Sequence, residues 1–310
     1  MTDTATSASL PAGTRLGRTA LRVTDLDPMI DFYRSVVGLA VLDRSDDDAT
    51  LGVDDVPLLF LREDADAPNR QREQAGLFHN AFLLPSRTAL GAALERIRDR
   101  WSLDGASDHR VSEALYLSDP EGNGVEIYRD RPRDAWPRPP DGGVEMATLP
   151  LDLDDVAAES DGATAAPDGT VLGHVHLEVT SVPTAREFYV ETLGFDVQMD
   201  VGSALFVSAG GYHHHLGLNT WNGRSAPAGG RGLDWVEIVL PNADAVKTVT
   251  NRLSTAGVDV TDRDVTDRDA TGCAGDGDVT DRTVELDSTA PTAGIKFTDP
   301  NGIEIRLRSE

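Results

Sequence analysis

Seven histidines carry most of the chemistry open to this chain, and their placement is uneven: His79, His109, His174, His176 and the run His213-His214-His215. Imidazole ligates borderline divalent metals and moves protons near neutral pH. Taken singly, each has a bland reading. His79 lies in the apolar stretch Phe78 to Leu84 and reads as a core histidine, His109 beside Asp108 reads as a surface ion pair, and the run of three reads as polar positions of an edge strand. Their positions along the chain add weight. His79 follows Gly76-Leu77-Phe78 and His174 follows Leu172-Gly173, each near the start of a strand-like segment, and the carboxylate of Glu126 comes seven residues after Asp119 in another. Two imidazoles and one carboxylate that converge leave open positions on a divalent ion, which suits non-haem Fe(II), with Mn(II) the nearest competitor. The single cysteine, Cys273, rules out a cysteine-rich zinc site and an internal disulfide framework.

The elements that must position these groups are duplicated. Leu16-Gly17-Arg18 recurs as Leu172-Gly173-His174, Phe32-Tyr33 as Phe188-Tyr189, Gly38 as Gly194, and Leu84-Pro85 as Leu240-Pro241, all at an offset of 156. Ser118-Asp119-Pro120 and Thr298-Asp299-Pro300 match at 180, so the second half gains 24 residues, which fall in the acidic stretch 258–287 with its repeated Val-Thr-Asp-Arg. That stretch reads as a solvated loop insertion, and the chain as a tandem duplication. Within each half the pattern is strand, helix, strands, twice over. Leu21 and Val23 alternate as a half-buried strand; Asp27 and Pro28 open a helix with Met29, Phe32, Tyr33 and Val36 on its apolar face, and Gly38 stops it. Phe78 to Leu84 reads as a strand, Thr88 to Arg100 as a helix, and Leu115-Tyr116 and Val125 to Ile127 as strands. The predicted fold is α+β: four βαβββ units, beginning near Leu16, Leu77, Leu172 and Leu233, in two tandem domains that form open barrel-like sheets. The expected divisions are a tail (1–14), a first domain (15–140), an acidic linker (141–169) with a short helix around Asp152 to Glu159, and a second domain (170–310).

Composition narrows the partners. Of 310 residues 53 are acidic and 28 basic, a formal charge of −25, and only Lys247 and Lys296 are lysines. Such a polyanion repels nucleic acid and anionic membrane, and an Asp-rich, Lys-poor surface fits solubility in concentrated salt. No apolar run approaches the roughly 18 residues of a membrane span, and Met1 to Gly13 lacks a signal pattern, so a cytoplasmic protein is expected.

Two stretches carry a family resemblance: Ser112-Glu-Ala-Leu-Tyr-Leu-Ser-Asp-Pro-Glu-Gly-Asn-Gly-Val-Glu126 and Gly210-Gly-Tyr-His-His-His-Leu-Gly-Leu-Asn-Thr-Trp221. With the repeated units, they resemble the vicinal-oxygen-chelate superfamily of glyoxalases, fosfomycin-resistance enzymes and type I extradiol dioxygenases, and in detail the two-domain catechol 2,3-dioxygenases. The resemblance implies a metal held by a His from the opening strand of one unit, with a His and a Glu from the opening and closing strands of a partner unit. Neither half supplies such a set alone. The first has His79 and Glu126 but Arg18 where a His is needed; the second has His174 but Trp235 and Arg306 at the positions equivalent to His79 and Glu126, with Glu304 a fallback. Pairing unit two with unit three across the halves completes the triad His79, Glu126 and His174, and leaves units one and four as a degenerate cup without metal. The alternative is a site local to the second half, built from His174, His214 or His215, and Glu304.

The resemblance further implies an acid–base role for His214, which is followed by His215-Leu216 and then the small Gly217, with His213 and His215 facing away. Tyr116, ten residues before Glu126, and more loosely His109 would hold substrate oxygens. The implied reaction is extradiol cleavage of a catechol by Fe(II) and O2, with a small aromatic diol as the partner. Unpaired sheet edges in such folds are often covered by a second copy, which allows a homo-oligomer. Two other readings stay open: a glyoxalase-like isomerase or thiol transferase, and a protein that sequesters an aromatic ligand between Tyr212, Trp221 and Trp235.

Overall fold

The computed structural model describes residues 9–140, 142–263 and 294–310. The insertion expected at 258–287 lies, from residue 264 onward, outside the described residues, as does Cys273; Thr261–Arg263 form a short strand paired with Gly294–Thr298. No helix among the described residues is long and apolar enough to cross a membrane.

Four βαβββ units follow one another. The first comprises β1 (Arg15–Val23), α1 (Leu26–Phe32), β2 (Ala40–Arg44), β3 (Asp48–Val53) and β4 (Val56–Glu63). The second comprises β5 (Gly76–Leu84), α2 (Arg87–Arg100), β6 (Gly105–Asp108), β7 (Ser112–Ser118) and β8 (Gly124–Asp130). After a connecting helix α3 (Leu153–Ala158), the third has β9 (Val171–Glu178), α4 (Val182–Arg186), β10 (Asp196–Asp200), β11 (Ala204–Ser208) and β12 (Leu216–Asn219). The fourth has β13 (Gly232–Leu240), α5 (Ala243–Thr255), β14 (Thr261–Arg263), β15 (Gly294–Thr298) and β16 (Glu304–Ser309). The α+β expectation is met.

The local signals act largely as read. Helix α1 is capped by Asp25, two residues earlier than expected, whose side chain accepts from the Asp27 N–H. It runs on into a π turn over Tyr33–Val37 and ends at Gly38, whose φ of +96° lies in the left-handed region that glycine adopts freely. Ser86 caps α2, and Asp152 caps α3 through the amides of Asp154 and Asp155. The repeated Asp-Pro turns have a shared structural role. Asp119 takes the Tyr33 hydroxyl at 3.0 Å and the amides of Glu121 and Asn123; Asp299 takes Tyr189 at 3.0 Å and the amides of Asn301 and Ile303. Each turn thereby ties the helix of one unit to the closing strands of the next.

The units do not close on their sequence neighbours. One eight-stranded sheet runs β14-β15-β16-β13-β1-β4-β3-β2 and the other β10-β11-β12-β9-β5-β8-β7-β6. Unit two thus shares a sheet with unit three, and unit one with unit four, each through an antiparallel pairing of opening strands, β5 with β9 and β1 with β13. Those strands would otherwise present unpaired edges; the exchange covers them with the other half of the chain. A continuous apolar core, from Leu21 and Phe82 to Val175 and Leu240, runs through both halves.

In the unit one and unit four sheet the inner face is closed by packing. Trp235 is fully buried, with the Arg306 guanidinium 4.1 Å from its ring centre, Arg18 at 5.4 Å, and Phe60 stacked at 6.2 Å. Glu237 draws Arg263 to 2.9 Å and Arg308 to 3.1 Å. Arginine and tryptophan fill the space that the other sheet leaves open.

Candidate functional site

The sheet of units two and three sets four functional positions in one row. Across β9, β5, β8 and β7, His174 pairs with Ala81, Ala81 with Glu126, and Glu126 with Tyr116. Paired residues in a sheet present their side chains to the same face. Ala81 is the small member of the row, so the side chains on either side of it reach across. His174 Nε2 meets Glu126 Oε2 at 3.1 Å, and His79, two residues before Ala81 and on the same face, brings its Nε2 to 2.9 Å from the same oxygen. All three groups are buried.

The donor set can hold a divalent ion. Donors at right angles around an ion about 2.1 Å away are themselves roughly 3 Å apart, which is the spacing seen here. His79 Nε2 is buried and makes no aligned hydrogen bond despite its nearness to the carboxylate, so it points at the shared space and not at a partner. The carboxyl of Glu126 is pushed up by burial, but the His174 and His79 imidazoles beside it outweigh that and hold it well below the usual range. Burial pushes His174 down to about 4, against the pull of Glu126, so the imidazole is neutral and able to ligate at neutral pH.

Around this centre four of the five remaining histidines form two hydrogen-bonded groups. His109 Nδ1 lies 2.5 Å from the Ala147 carbonyl and its Nε2 2.6 Å from the Tyr116 hydroxyl. A carbonyl only accepts, so Nδ1 carries the proton, and in the neutral ring Nε2 accepts from Tyr116. Burial, with Glu126 nearby, raises the Tyr116 phenol well above its ordinary value, which keeps the hydroxyl protonated. In the second group, His213 Nε2 is 2.9 Å from Asp130, His213 Nδ1 is 2.7 Å from His214 Nδ1, and His214 Nε2 is 2.9 Å from His176 Nε2. Because the carboxylate accepts, neutral rings order themselves in one direction: His213 donates to Asp130, His214 donates from Nδ1 to His213, and His214 Nε2 is left as the acceptor.

The six residues singled out from the sequence therefore gather about one cavity of about 810 Å³. Other expectations did not hold. Residues 213–215 are a bend before β12 and not part of a strand, so His213 does not face away from His214 but braces it. Only Trp221 of the three proposed aromatic wall residues lines the cavity; Tyr212 packs with Trp136 and Val111, and Trp235 belongs to the other sheet. Glu304 is also on that other sheet, hydrogen-bonded to Arg306 at 2.7 Å, and so does not join His174.

His176 was missed. It stands two residues after His174 on the same face, its ring 4.3 Å from that of His79, and ligand atoms of His79, His174 and His176 lie within 4.8 Å of one another. The signal was the His-x-His spacing on a strand. Gly217 pairs with His176, and a β-carbon there would clash with the imidazole, which accounts for the small residue three places after His214. Part of the expected linker also lines the site: Met146, Ala147 and Thr148 reach the cavity, held by Asp108 and His109.

His215 lies outside the cavity wall and has a different use. Its Nδ1 accepts from the Ala209 N–H at 3.2 Å, and burial pushes its pKa down to about 3. The unfolded ring titrates near 6.5, so below that pH the unfolded chain holds the extra proton and stability falls with pH, by about 1.4 kcal/mol per pH unit from this group. The loss runs from about pH 6.5 toward pH 3. Urea melts between pH 7 and 5 are expected to show about one fewer proton taken up on unfolding in His215→Asn than in the wild type; equal slopes would refute this.

Comparison with known proteins agrees with the geometry. The model of the Glyoxalase/Bleomycin resistance protein/Dioxygenase superfamily matches residues 15–127 and again 171–307. The chain is 41% identical over 261 residues to Catechol-2,3-dioxygenase of Bacillus subtilis (strain 168), covering 81% of this chain and 92% of that protein. Among solved structures, one from Bacillus subtilis subsp. subtilis str. 168 covers 97% of this chain and 86% of its own at a TM-score of 0.63 and 14% identity. Glyoxalase I from Zea mays covers 96% and 92% at a TM-score of 0.55 and 16% identity. At such identities these structures speak for the fold. With both halves matched and one relative close along most of its length, the chain belongs to the glyoxalase/bleomycin resistance/dioxygenase superfamily.

Proposed function

We propose that this protein is an extradiol dioxygenase that opens the ring of a catechol with O2. The observation that carries the reading is the convergence of His79 and Glu126 from the first half with His174 from the second, beside His214 and the His109–Tyr116 pair. The 41% identity to a protein named Catechol-2,3-dioxygenase supports the same chemistry.

In this reading His79, Glu126 and His174 would hold Fe(II), with Mn(II) as the alternative, and that ion would supply template and Lewis-acid chemistry for the reaction of the diol with O2. The protein's own groups do the rest. Tyr116, kept protonated and with its proton directed to His109, presents its oxygen to accept a hydrogen bond from a substrate hydroxyl. His214 Nε2, fixed as the acceptor by His213 and Asp130, faces His176, and with a catechol displacing that contact it takes the substrate's proton for later return. Phe78, Phe206 and Leu117 wall the cavity, so that the ring lies against apolar surface and water is kept from the reacting atoms. The charge of −25 supports a setting in concentrated salt, where that self-repulsion is screened.

The test is direct. Anaerobic protein loaded with Fe(II) is mixed with catechol and air is admitted; a yellow ring-opened product with matching oxygen uptake is expected. An absence of uptake removes the oxygenase reading, and turnover of a hemithioacetal without oxygen would favour the isomerase.

A further inference from the structure

Beyond the diol-binding end, the cavity holds a paired-arginine group that ring cleavage does not use. Along β9 the residues facing the cavity are His174, His176 and then Glu178, which is buried at 1% exposure. Arg70 Nη2 approaches Glu178 Oε2 at 2.7 Å and Arg224 Nη2 approaches the same oxygen at 2.9 Å, while Asn222 Nδ2 donates to Oε1 at 2.6 Å. Each guanidinium is held by a second contact, Arg70 to the Leu77 carbonyl at 2.7 Å and Arg224 to the Arg72 carbonyl. The two arginines come from different halves, on loops that bond to each other through Ala75 N–H to Ala226 O and Ser225 N–H to Glu73 O.

One carboxylate thus faces two guanidiniums. Burial and the neighbouring Arg224 charge both lower the Arg70 pKa, and Glu178 opposes them, so the first two effects prevail. A second carboxylate at this spot would relieve that imbalance through charge-assisted hydrogen bonds. The Nε of Arg224 is buried without a hydrogen-bond partner. The other acids lining the cavity are distant or engaged: Glu126 serves the histidine centre, and Asp104 lies on the far side by β6, accepting from Ser118. Between the arginines and the histidines the walls are aromatic. Phe78 and Trp221 meet edge to face at 5.3 Å, and Phe206 lies 5.5 Å from His176. The step from His176 to Glu178 along the strand is about 6.8 Å, comparable to the length of a dihydroxyphenyl ring.

We propose that Arg70 and Arg224 form an anion subsite, and that the cavity takes catechols bearing a carboxylate on the ring edge opposite the diol, directly or on a one-carbon arm. This rests on the dioxygenase reading and narrows its substrate class. The arrangement has a purely structural competitor, an Arg–Glu–Arg brace between two loops, and the test separates them.

Binding of 3,4-dihydroxybenzoate, 3,4-dihydroxyphenylacetate and 4-methylcatechol to anaerobic Fe(II)-loaded protein is followed by tryptophan fluorescence, to which the half-exposed Trp221 at the rim contributes. At least one of the two acids is expected to bind tenfold or more tightly than 4-methylcatechol, and Arg224→Gln is expected to bring the ratio close to one. Equal or weaker binding of both acids by the wild type overturns the subsite, and needs no variant. Loss of all three ligands in proportion in Arg224→Gln also overturns it, in favour of the brace. If the wild type binds the acids and 4-methylcatechol equally and cleaves them, the subsite fails while the dioxygenase stands; if it binds no catechol at all, both fail together.

Discussion

His79→Ala and His174→Ala are expected to lose bound metal to the same extent and to lower ring-cleaving turnover by more than about a hundredfold, the effect that removing even an outer ligand support can reach. The equality is the informative part. His79 comes from the first half and His174 from the second, yet each Nε2 lies within 3.1 Å of one oxygen of Glu126. Removing either leaves one imidazole and one carboxylate, too few to fix the ion against water. Glu304→Gln is the control. Its carboxylate lies on the other sheet against Arg306, so metal content is expected to stay at the wild-type level. Metal analysis of the three purified variants beside the wild type decides the matter. Metal kept in His79→Ala and lost in His174→Ala would place the centre within the second half, and metal lost in Glu304→Gln would do the same.

The cross-half arrangement was legible because the duplication exposes its own gaps. Arg18, Trp235 and Arg306 stand where a repeated site would need ligands, and exchange of units was the reading that reunited His79, Glu126 and His174. The sheet orders follow that exchange. Strand and helix positions were legible for the ordinary reason that Gly38 and Asp152 punctuate clear periodicities. What stayed hidden depends on contacts between segments distant in sequence. The role of Ala81 appears only once β9 and β8 flank β5. The direction of the Asp130–His213–His214 chain depends on a carboxylate 83 residues away. The run 213–215 misled because three consecutive polar residues look like an edge strand, whereas a bend before Leu216 turns adjacent rings toward each other. Arg70 and Arg224 gave no signal, since a lone arginine in a polar loop has no pattern until Glu178 gathers the pair.

Replacing His214 by glutamine is expected to leave metal bound and lower turnover roughly 100- to 10,000-fold, the range for losing one positioned acid–base group. The separation between metal and turnover follows from geometry. His214 packs its ring 4.2 Å from that of His174, but its nitrogens are engaged elsewhere, Nδ1 with His213 and Nε2 with His176. Glutamine can retain a hydrogen bond to His213, so the fold and the ion are kept, but its amide does not accept a proton at neutral pH. Asp130→Asn provides a graded companion. An amide at 130 can either accept from or donate to His213, so the ring direction is no longer imposed, and His214 spends part of its time with Nε2 protonated. Its turnover is expected to fall between the wild type and His214→Gln, with metal content unchanged, because Asp130 meets His213 and the buried Tyr212 and none of His79, Glu126 and His174. If His214→Gln turned over catechol at the wild-type rate with full metal, the proton would have to leave by another group, and Tyr116 with His109 would be the pair to examine by the same measurement.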